Sequence, residues 1–179
     1  MAMRNDQPAE AESIETGGED DRYAFDIPLV EVASTRIQAF DLYWRGKCRD
    51  GRLPARADLD PGEIKALLPS LVILGVEWAP FRVRIRLAGT RTTQYRTDNT
   101  GKYLDEVTTI PPARRAQYVA EMRAVAERAK PAFARDRMTT RGGASYDVFA
   151  GIWPLAENGR AVDRLAVMED FTAAAPEEG

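Results

Sequence analysis

The first third of the chain shows a helical spacing of apolar residues. Between residues 29 and 49 they are separated by four, three, four and four positions, which predicts an amphipathic helix. These residues are Ala33, Ile37, Phe40, Trp44 and Cys48. Asp60, Pro61 and Glu63 then match an N-cap, a first helical position and a capping box, so a short helix over 61–68 is predicted as well.

The period then changes from about 3.6 to two. Residues 71–78 are almost all apolar, and from 81 to 87 apolar residues alternate strictly with arginines. This alternation is typical of a strand that is buried on one face. Ala79 and Pro80 suit a tight connection, so the two segments are expected to form a hairpin.

A third pattern follows in the second half of the chain. Tyr118, Met122 and Val125 mark one face of a long helix over about 112–130, which lies between prolines. Three strands are predicted after it, over 132–140, 145–155 and 161–171, and Asn158-Gly159 is a strong hairpin signal between the last two. The order of elements predicts an α+β fold, in which mid-chain helices cover one face of a five-stranded antiparallel sheet.

The stretch over 87–106 joins the hairpin to the long helix and lacks the glycine spacing of a phosphate loop. Gly89 and Gly101 are twelve residues apart, and no lysine-threonine pair follows either of them. A structural role is favoured instead. Thr90 is expected to cap a helix over 91–97, and Gly101 to turn the chain into a second short helix that holds Tyr103.

Composition removes several classes of chemistry. The chain has no histidine, which excludes Ser-His-Asp and Cys-His catalysis, the usual zinc sites and a histidine-ligated haem. Its single cysteine, Cys48, cannot form an internal disulfide. No apolar run approaches the ~20 residues of a membrane span, and the first 21 residues do not resemble a secretory signal. We therefore expect a cytoplasmic location and no metal site, and only catalysis by carboxylates, tyrosine, lysine or arginine remains open.

Charge is distributed unevenly along the chain. Residues 1–21 contain seven acidic residues and one arginine, and with so few large apolar groups this tail is expected to be disordered. Basic residues cluster around the first predicted helix, at Arg45, Lys47, Arg49, Arg52 and Arg56. Phosphate binding depends largely on positive charge, but the remainder of the chain is only mildly basic, so we do not expect a nucleic-acid partner.

Several sequence segments together resemble a known family. The strands end in "RIRLAGT", the helical region ends in "TDNTGKYLDEV", and the last strand reads "NGRAVDRLAVMEDF". With the upstream segment "YWRGKCRDGRLPARADLDP", they resemble a bacterial single-domain PAS family between about residues 40 and 171. Composition and the resemblance together predict a disordered acidic tail (1–24), an N-terminal helical extension (25–69), a PAS-like domain (70–172) and a flexible C-terminal tail (173–179).

The resemblance also implies a regulatory function. PAS cores form a pocket for a small ligand or fill it with side chains, and they often dimerise through a flanking helix, so a homodimer through the N-terminal helix is considered. A flavin-adduct PAS domain carries its cysteine after the second strand, whereas Cys48 lies before the first, and haem-binding relatives usually need histidine. The cofactor is therefore unknown. The expected role is that of a non-catalytic sensor or adaptor that modulates a signalling protein by contact.

Four side chains are candidates for ligand binding: Tyr95, Tyr103, Tyr146 and Arg86. The alternative for each tyrosine is partial burial with its hydroxyl in water, and the alternative for Arg86 is a solvent-facing position. Phe40 and Trp44 could anchor a dimer or could dock within the monomer. The alternative function is a small cone-shaped α+β enzyme, similar to ketosteroid isomerases, with Asp and Tyr as acid-base groups. The long helix that interrupts the strands favours the PAS interpretation.

Overall fold

A computed structural model describes residues 13–14, 28–32, 34–140 and 143–173. Its centre is an antiparallel sheet of five long strands with a two-residue strand at one edge. The strands are β1 (Ser13–Ile14), β2 (Leu71–Trp78), β3 (Phe81–Ala88), β4 (Ala132–Thr140), β5 (Ser145–Leu155) and β6 (Arg164–Ala173). The α-helices are α1 (Thr35–Lys47), α2 (Thr90–Tyr95) and α3 (Pro112–Arg128), and short 3-10 helices span Leu29–Glu31, Arg56–Asp58, Leu68–Ser70 and Leu104–Glu106.

The two ends of the PAS-like region meet in the middle of the sheet. Strand order is β1-β4-β5-β6-β2-β3, so the last strand, β6, pairs with the first long one, β2. In that pair Val72 lies opposite Val167, and Leu74 lies opposite Leu165. The predicted hairpin over 71–88 and the predicted strands over 132–171 therefore belong to one continuous sheet, which confirms the expected α+β fold.

One face of this sheet is covered by α1. Phe40 and Trp153 are both fully buried, and their rings meet edge to face with centroids 4.7 Å apart. Two hydrogen bonds fix the helix in position, since Trp153 Nε1 donates to Asp41 Oδ1 at 3.0 Å and Trp44 Nε1 donates to the Pro154 carbonyl at 3.0 Å. Phe40 and Trp44 are thus docked within the monomer, which decides between the two alternatives for them.

The opposite face is covered by α3 and by the segment that precedes it. Met122 and Val125 of α3 pack against Leu74, Leu165 and Val167 of the sheet, all of them buried. Side chains alternate along β6, so Leu165 and Val167 face α3 whereas Ala166 and Met168 face α1. The predicted long helix over 112–130 and its position on one face are confirmed.

The predicted helix over 61–68 is wrong, because residues 61–67 form consecutive turns before the 3-10 helix Leu68–Ser70. A capping box would need Glu63 to accept the Asp60 N–H. That N–H donates instead to Tyr43 Oη at 2.8 Å, and Glu63 is paired with Lys47 at 2.6 Å. Both partners, Tyr43 and Lys47, belong to α1, so contacts with that helix replace the local contacts that the predicted helix needed.

Other boundaries differ by a few residues. Helix α1 is shorter than the predicted 29–49, and its N-cap is Ser34, which accepts from the Ile37 N–H. The N-cap of α2 is Gly89 rather than Thr90. Strand β6 begins at Arg164 because the side chain of Asn158 accepts hydrogen bonds from the backbone N–H groups of Arg160 and Ala161, which lengthens the turn beyond two residues.

The predicted tails fall mostly on residues outside the described part, so their disorder stays a prediction. Ser13 and Ile14 are the exception, and they pair with Thr140 and Thr139 of β4. Within the described ranges, no helix has the length and apolar character that a membrane span requires.

We expect Gly151→Ala to destabilise the protein by about 1–3 kcal/mol, because a larger group at this position overpacks a closed core. A Cβ on Gly151 would lie 2.8 Å from Trp153 Cζ2, and that indole is held by Phe40 and Phe133. Urea unfolding monitored by circular dichroism measures the effect.

Gly46→Ala in α1 is the matched control. A Cβ at Gly46 meets no atom within 4 Å, so the same substitution should stabilise the protein by up to about 1 kcal/mol through helix propensity. Equal effects at the two glycines would contradict the packing described for Trp153.

Candidate functional site

A cavity of about 120 Å³ lies between the sheet and the helices on the α3 side. Its floor is formed by β2, β3 and β6, and its roof by α2, α3 and the segment that connects them. The lining is mainly aliphatic and includes Val72, Leu74, Ile85, Leu104, Met122 and Val167. Such a cavity with a few polar groups is the usual form of a small-molecule site.

Gly89 allows α2 to turn back over this cavity. A Cβ at this position would lie only 2.6 Å from the Leu68 carbonyl oxygen and closer still to the Pro69 carbonyl. Because these are backbone atoms, they cannot move aside for a side chain. The glycine that ends "RIRLAG" is therefore required for the close approach between the start of α2 and residues 68–69.

The outer wall of the cavity is a loop that follows the free edge of β3. The Gly101 N–H donates to the Ile85 carbonyl at 2.8 Å, and the Ile85 N–H donates to the Lys102 carbonyl at 2.9 Å. Asp98 forms the preceding turn by accepting from the Thr100 N–H at 2.9 Å and from its hydroxyl at 2.7 Å. These two hydrogen bonds lower the pKa of Asp98.

An ionic clamp closes the same wall on its outer side, formed by Arg82 with Asp105 and Glu106. Arg82 donates from Nε and Nη2 to Asp105 at 3.1 and 2.9 Å, and from Nη2 to Glu106 at 2.7 Å. The guanidinium also lies 3.6 Å from the centroid of Tyr103, whose hydroxyl donates to Glu77 at 2.9 Å. Hydrogen bonding to Arg82 lowers the pKa of Asp105.

A buried ion pair stands at the inner end of the cavity. Arg96, after α2, donates to both carboxylate oxygens of Glu169 on β6, with contacts of 2.7 to 3.0 Å. Burial alone would lower the pKa of Arg96, but the charge of Glu169 and its hydrogen bonds outweigh burial and raise that pKa. Arg96 is therefore charged, and it forms a buried bidentate ion pair with the carboxylate of Glu169.

Further polar groups lie between α3 and the sheet. Tyr118 lines the cavity, and burial raises its pKa although Arg96 and Arg114 oppose that shift. Arg114 is 5.4 Å from the Tyr118 ring centroid and forms an ion pair with Asp136 of β4. Burial raises the pKa of Asp136 against the opposing charge of Arg114. The phenol of Tyr118 is thus neutral near physiological pH.

None of the four predicted ligand-binding residues lines this cavity. Tyr95 stacks on Phe171 at 4.4 Å and meets Tyr146 edge to face at 5.3 Å, so the structure brings these two tyrosines together in a separate small cluster. Tyr103 lies in the clamp, and Arg86 is exposed beside Gly75. Ligand binding by Tyr95, Tyr103, Tyr146 and Arg86 stays a prediction.

Sequence reasoning missed the residues that do line the cavity. Glu169 follows Leu165 and Val167 at a spacing of two, so the strand pattern placed an acid on an inward face. That signal was available and indicated a buried charge. Arg96 offered no comparable signal, because it lies in an irregular segment whose orientation is decided by contact with a strand 73 residues away.

The basic run around α1 lies at a different place, in a polar cleft of about 370 Å³ beside residues 156–159. Lys47, Arg49 and Arg52 line this cleft together with three acids, namely Asp50, Asp58 and Glu157. Lys47 is paired with Glu63 and Arg45 with Asp41. The cleft is therefore mixed in charge rather than uniformly basic.

The size of the cavity and the position of the cysteine do not fit a flavin. Its volume is below the roughly 300–1,000 Å³ of typical cofactor and drug sites, and Cys48 packs beneath α1 on the other face of the sheet. Tyr103 and Asp105, a tyrosine and an aspartate of the kind that the alternative enzyme would use, contact Glu77 and Arg82 outside the cavity. Among the described residues there is no cluster of metal-ligating side chains.

Comparison with known proteins gives one family and several solved structures. A family profile described as "PAS domain" matches residues 32–167. No curated protein sequence matches. Structural matches include a variant of RsLOV (12% identity, 67% of this chain, 73% of that chain, TM-score 0.43) and the LOV protein of Rhodobacter sphaeroides (14%, 68%, 71%, 0.38). A fungal LOV domain photoreceptor also matches (15% identity, 81% of this chain, 100% of that chain, TM-score 0.40).

We expect Glu169→Gln to destabilise the protein by about 3–5 kcal/mol, because it leaves the charge of Arg96 buried without its carboxylate. Urea unfolding measures the loss. The double variant Arg96→Met/Glu169→Leu should recover most of it, since it removes both charges. A loss of unfolding free energy below about 1 kcal/mol for Glu169→Gln is typical of a solvent-exposed ion pair and would contradict the burial of this pair.

The clamp predicts a dependence on pH. Because the pKa of Asp105 is lowered in the folded state, its stabilisation is present above the unfolded value of about 3.9 and is lost as pH falls through the folded value. The difference in unfolding free energy between the wild type and Asp105→Asn should therefore be constant above about pH 5 and shrink below about pH 4. About 1 M salt should reduce it at neutral pH, and a difference that grows in acid would contradict the assignment.

Proposed function

Because the chain belongs to the PAS domain family, we propose that it is a sensory or adaptor protein that modulates a signalling partner by contact. We further propose that a small ligand in the cavity controls this contact. The proposal rests on one observation above all. A single 3-10 turn, Leu104–Glu106, carries Leu104 in the cavity lining and Asp105 and Glu106 in the clamp on the outer surface.

This turn links the inside of the molecule to its surface. A ligand that contacts Leu104 changes the position of the turn only if it binds one arrangement of the wall more tightly than another. Any such preference also acts on Asp105 and Glu106, because they lie in the same turn, and hence on Arg82. A partner that contacts the outer surface of this wall would therefore bind the ligand-free and the ligand-bound protein with different affinity.

A role without catalysis is consistent with the titratable groups of the cavity. Arg96 and Glu169 are held in a mutual ion pair, and the pKa of Tyr118 is raised by burial. A general acid or base works best when its pKa lies near the working pH and its reactive atom is available to a substrate. These three side chains do not meet both conditions, so we assign the cavity to binding rather than to turnover.

A homodimer through the N-terminal helix is part of the same proposal. Phe40 and Trp44 are buried inside the monomer, so a dimer contact on α1 would have to use its exposed side, where Leu42 is 75% exposed.

We also propose that the protein functions in the cytoplasm, where a signalling protein would be available as a partner.

A cavity-filling substitution tests whether the space is real. Val167→Phe should change the unfolding free energy by less than about 1 kcal/mol, because the ring enters existing space. Val125→Phe is the matched control. Val125 is fully buried in the same core but does not line the cavity. The Val125→Phe substitution should therefore lower the free energy of unfolding by about 1–3 kcal/mol. Equal losses for the two variants, measured by urea unfolding, would contradict the cavity.

Native mass spectrometry of the full chain, purified from its own host, tests the ligand and the subunit number together. We expect the wild type to retain a small molecule and the Val167→Phe variant to lose it. Hydrogen exchange of residues 98–106 should be slower in the ligand-bound wild type than in the variant. Equal retained mass in both proteins would show that the molecule binds elsewhere and would contradict control through this cavity.

A further inference from the structure

We propose that the cavity binds a small, uncharged and mostly apolar molecule that carries one hydrogen-bonding group, and that Thr92 recognises this group. The inference rests on the proposed function and specifies the ligand class for the same cavity. It follows from three independent properties of the lining, which are its volume, the state of its charged side chains, and one buried hydroxyl.

Volume points to a ligand of about one ring. The cavity measures about 120 Å³. An apolar protein cavity of about 150 Å³ holds a benzene molecule, whereas a single water occupies about 30 Å³ of liquid. The expected ligand is therefore of the size of a monocyclic compound or a short branched chain, and a nucleotide is too large.

The charged side chains exclude an ionic ligand. Arg96 and Glu169 line the cavity, and Arg96 contacts both oxygens of the Glu169 carboxylate. An anion that binds Arg96 would break its contacts with Glu169 and leave that carboxylate buried without a counter-charge. A cation that binds Glu169 would leave the guanidinium of Arg96 buried without a counter-charge. Leaving one partner of a buried pair without its counter-charge costs several kcal/mol. Neutral ligands avoid this cost.

Thr92 supplies a polar atom that has no partner. The residue lies on α2, lines the cavity and is 5% exposed. Its hydroxyl is buried and makes no hydrogen bond with any residue in the described part of the chain. Buried hydroxyls in proteins are nearly always hydrogen-bonded, so this one is suited to a polar group that comes from outside the chain.

The neighbouring Thr93 differs in this respect. It also lines the cavity, but its hydroxyl donates to the Thr90 carbonyl at 3.1 Å within the helix. Thr92 and Thr93 are thus a matched pair, in which the hydroxyl proton of Thr93 is already donated to the helix backbone and that of Thr92 is not. Both residues can be changed to valine, which keeps the shape and removes the hydroxyl.

Three probe molecules with the same ring test the class of ligand: toluene, benzyl alcohol and benzoate. Binding to the full chain is measured by calorimetry and by NMR shifts of the cavity methyl groups. We expect toluene and benzyl alcohol to bind and benzoate to show no saturable binding. Val167→Phe, which fills the cavity, should abolish the binding of both neutral probes.

The role of Thr92 is tested by three variants. Thr92→Val should weaken the binding of benzyl alcohol about two- to tenfold, which is the value of one neutral hydrogen bond. The same variant should leave the affinity for toluene unchanged. Thr92→Ser keeps the hydroxyl and should restore benzyl alcohol binding. Thr93→Val should alter neither probe. An equal effect of Thr92→Val on toluene and benzyl alcohol would overturn the recognition role of Thr92.

The remaining outcomes separate this inference from the proposed function. Benzoate binding that Val167→Phe abolishes would overturn the ligand class and leave ligand control through the cavity intact. Absence of binding by all three probes, together with no retained molecule in the native wild type, would overturn both.

Discussion

The central strands of the sheet are apolar on both faces, and this determines the rest of the structure. Every residue from Val148 to Leu155 of β5 is buried, and β6 is buried on both sides over most of its length. Such a sheet is stable only when each face is covered by other elements. Helix α1 covers one face through Phe40 and Trp153, and α3 with its preceding segment covers the other.

The two faces of the sheet are packed to different degrees, and the candidate site lies on the less completely packed face. On the α1 side, aromatic rings interdigitate around Trp153, and two indole hydrogen bonds fix the helix. On the other side, α2 has only six residues and is followed by irregular chain, which leaves a cavity of about 120 Å³. Beside α3, this six-residue helix and the irregular chain after it fill the space less completely than the aromatic side chains do beneath α1.

The incompletely filled side is also the side on which we propose ligand binding. Its wall is held by contacts of moderate strength on the outer surface, chiefly the clamp of Arg82 and backbone hydrogen bonds along β3. Exposed ion pairs contribute little stability, so such a wall can change its arrangement at low cost. The buried pair of Arg96 and Glu169 is the opposite case, because it cannot be broken without a large loss. The cavity thus lies between a firmly packed sheet and a wall that is held mainly by surface contacts.

The sequence by itself determined the periodic elements, the antiparallel hairpins, the family and the absence of histidine chemistry, because these depend on local spacing and composition. Tertiary structure alone decided that residues 61–67 are turns, that Phe40 and Trp44 face inward, and that Tyr95 lies outside the cavity. It also decided that Arg96 meets Glu169. The physical reason is that these outcomes depend on which distant strand or helix lies opposite each residue. Strand order across the sheet sets those neighbours, and it is not a property of any local segment.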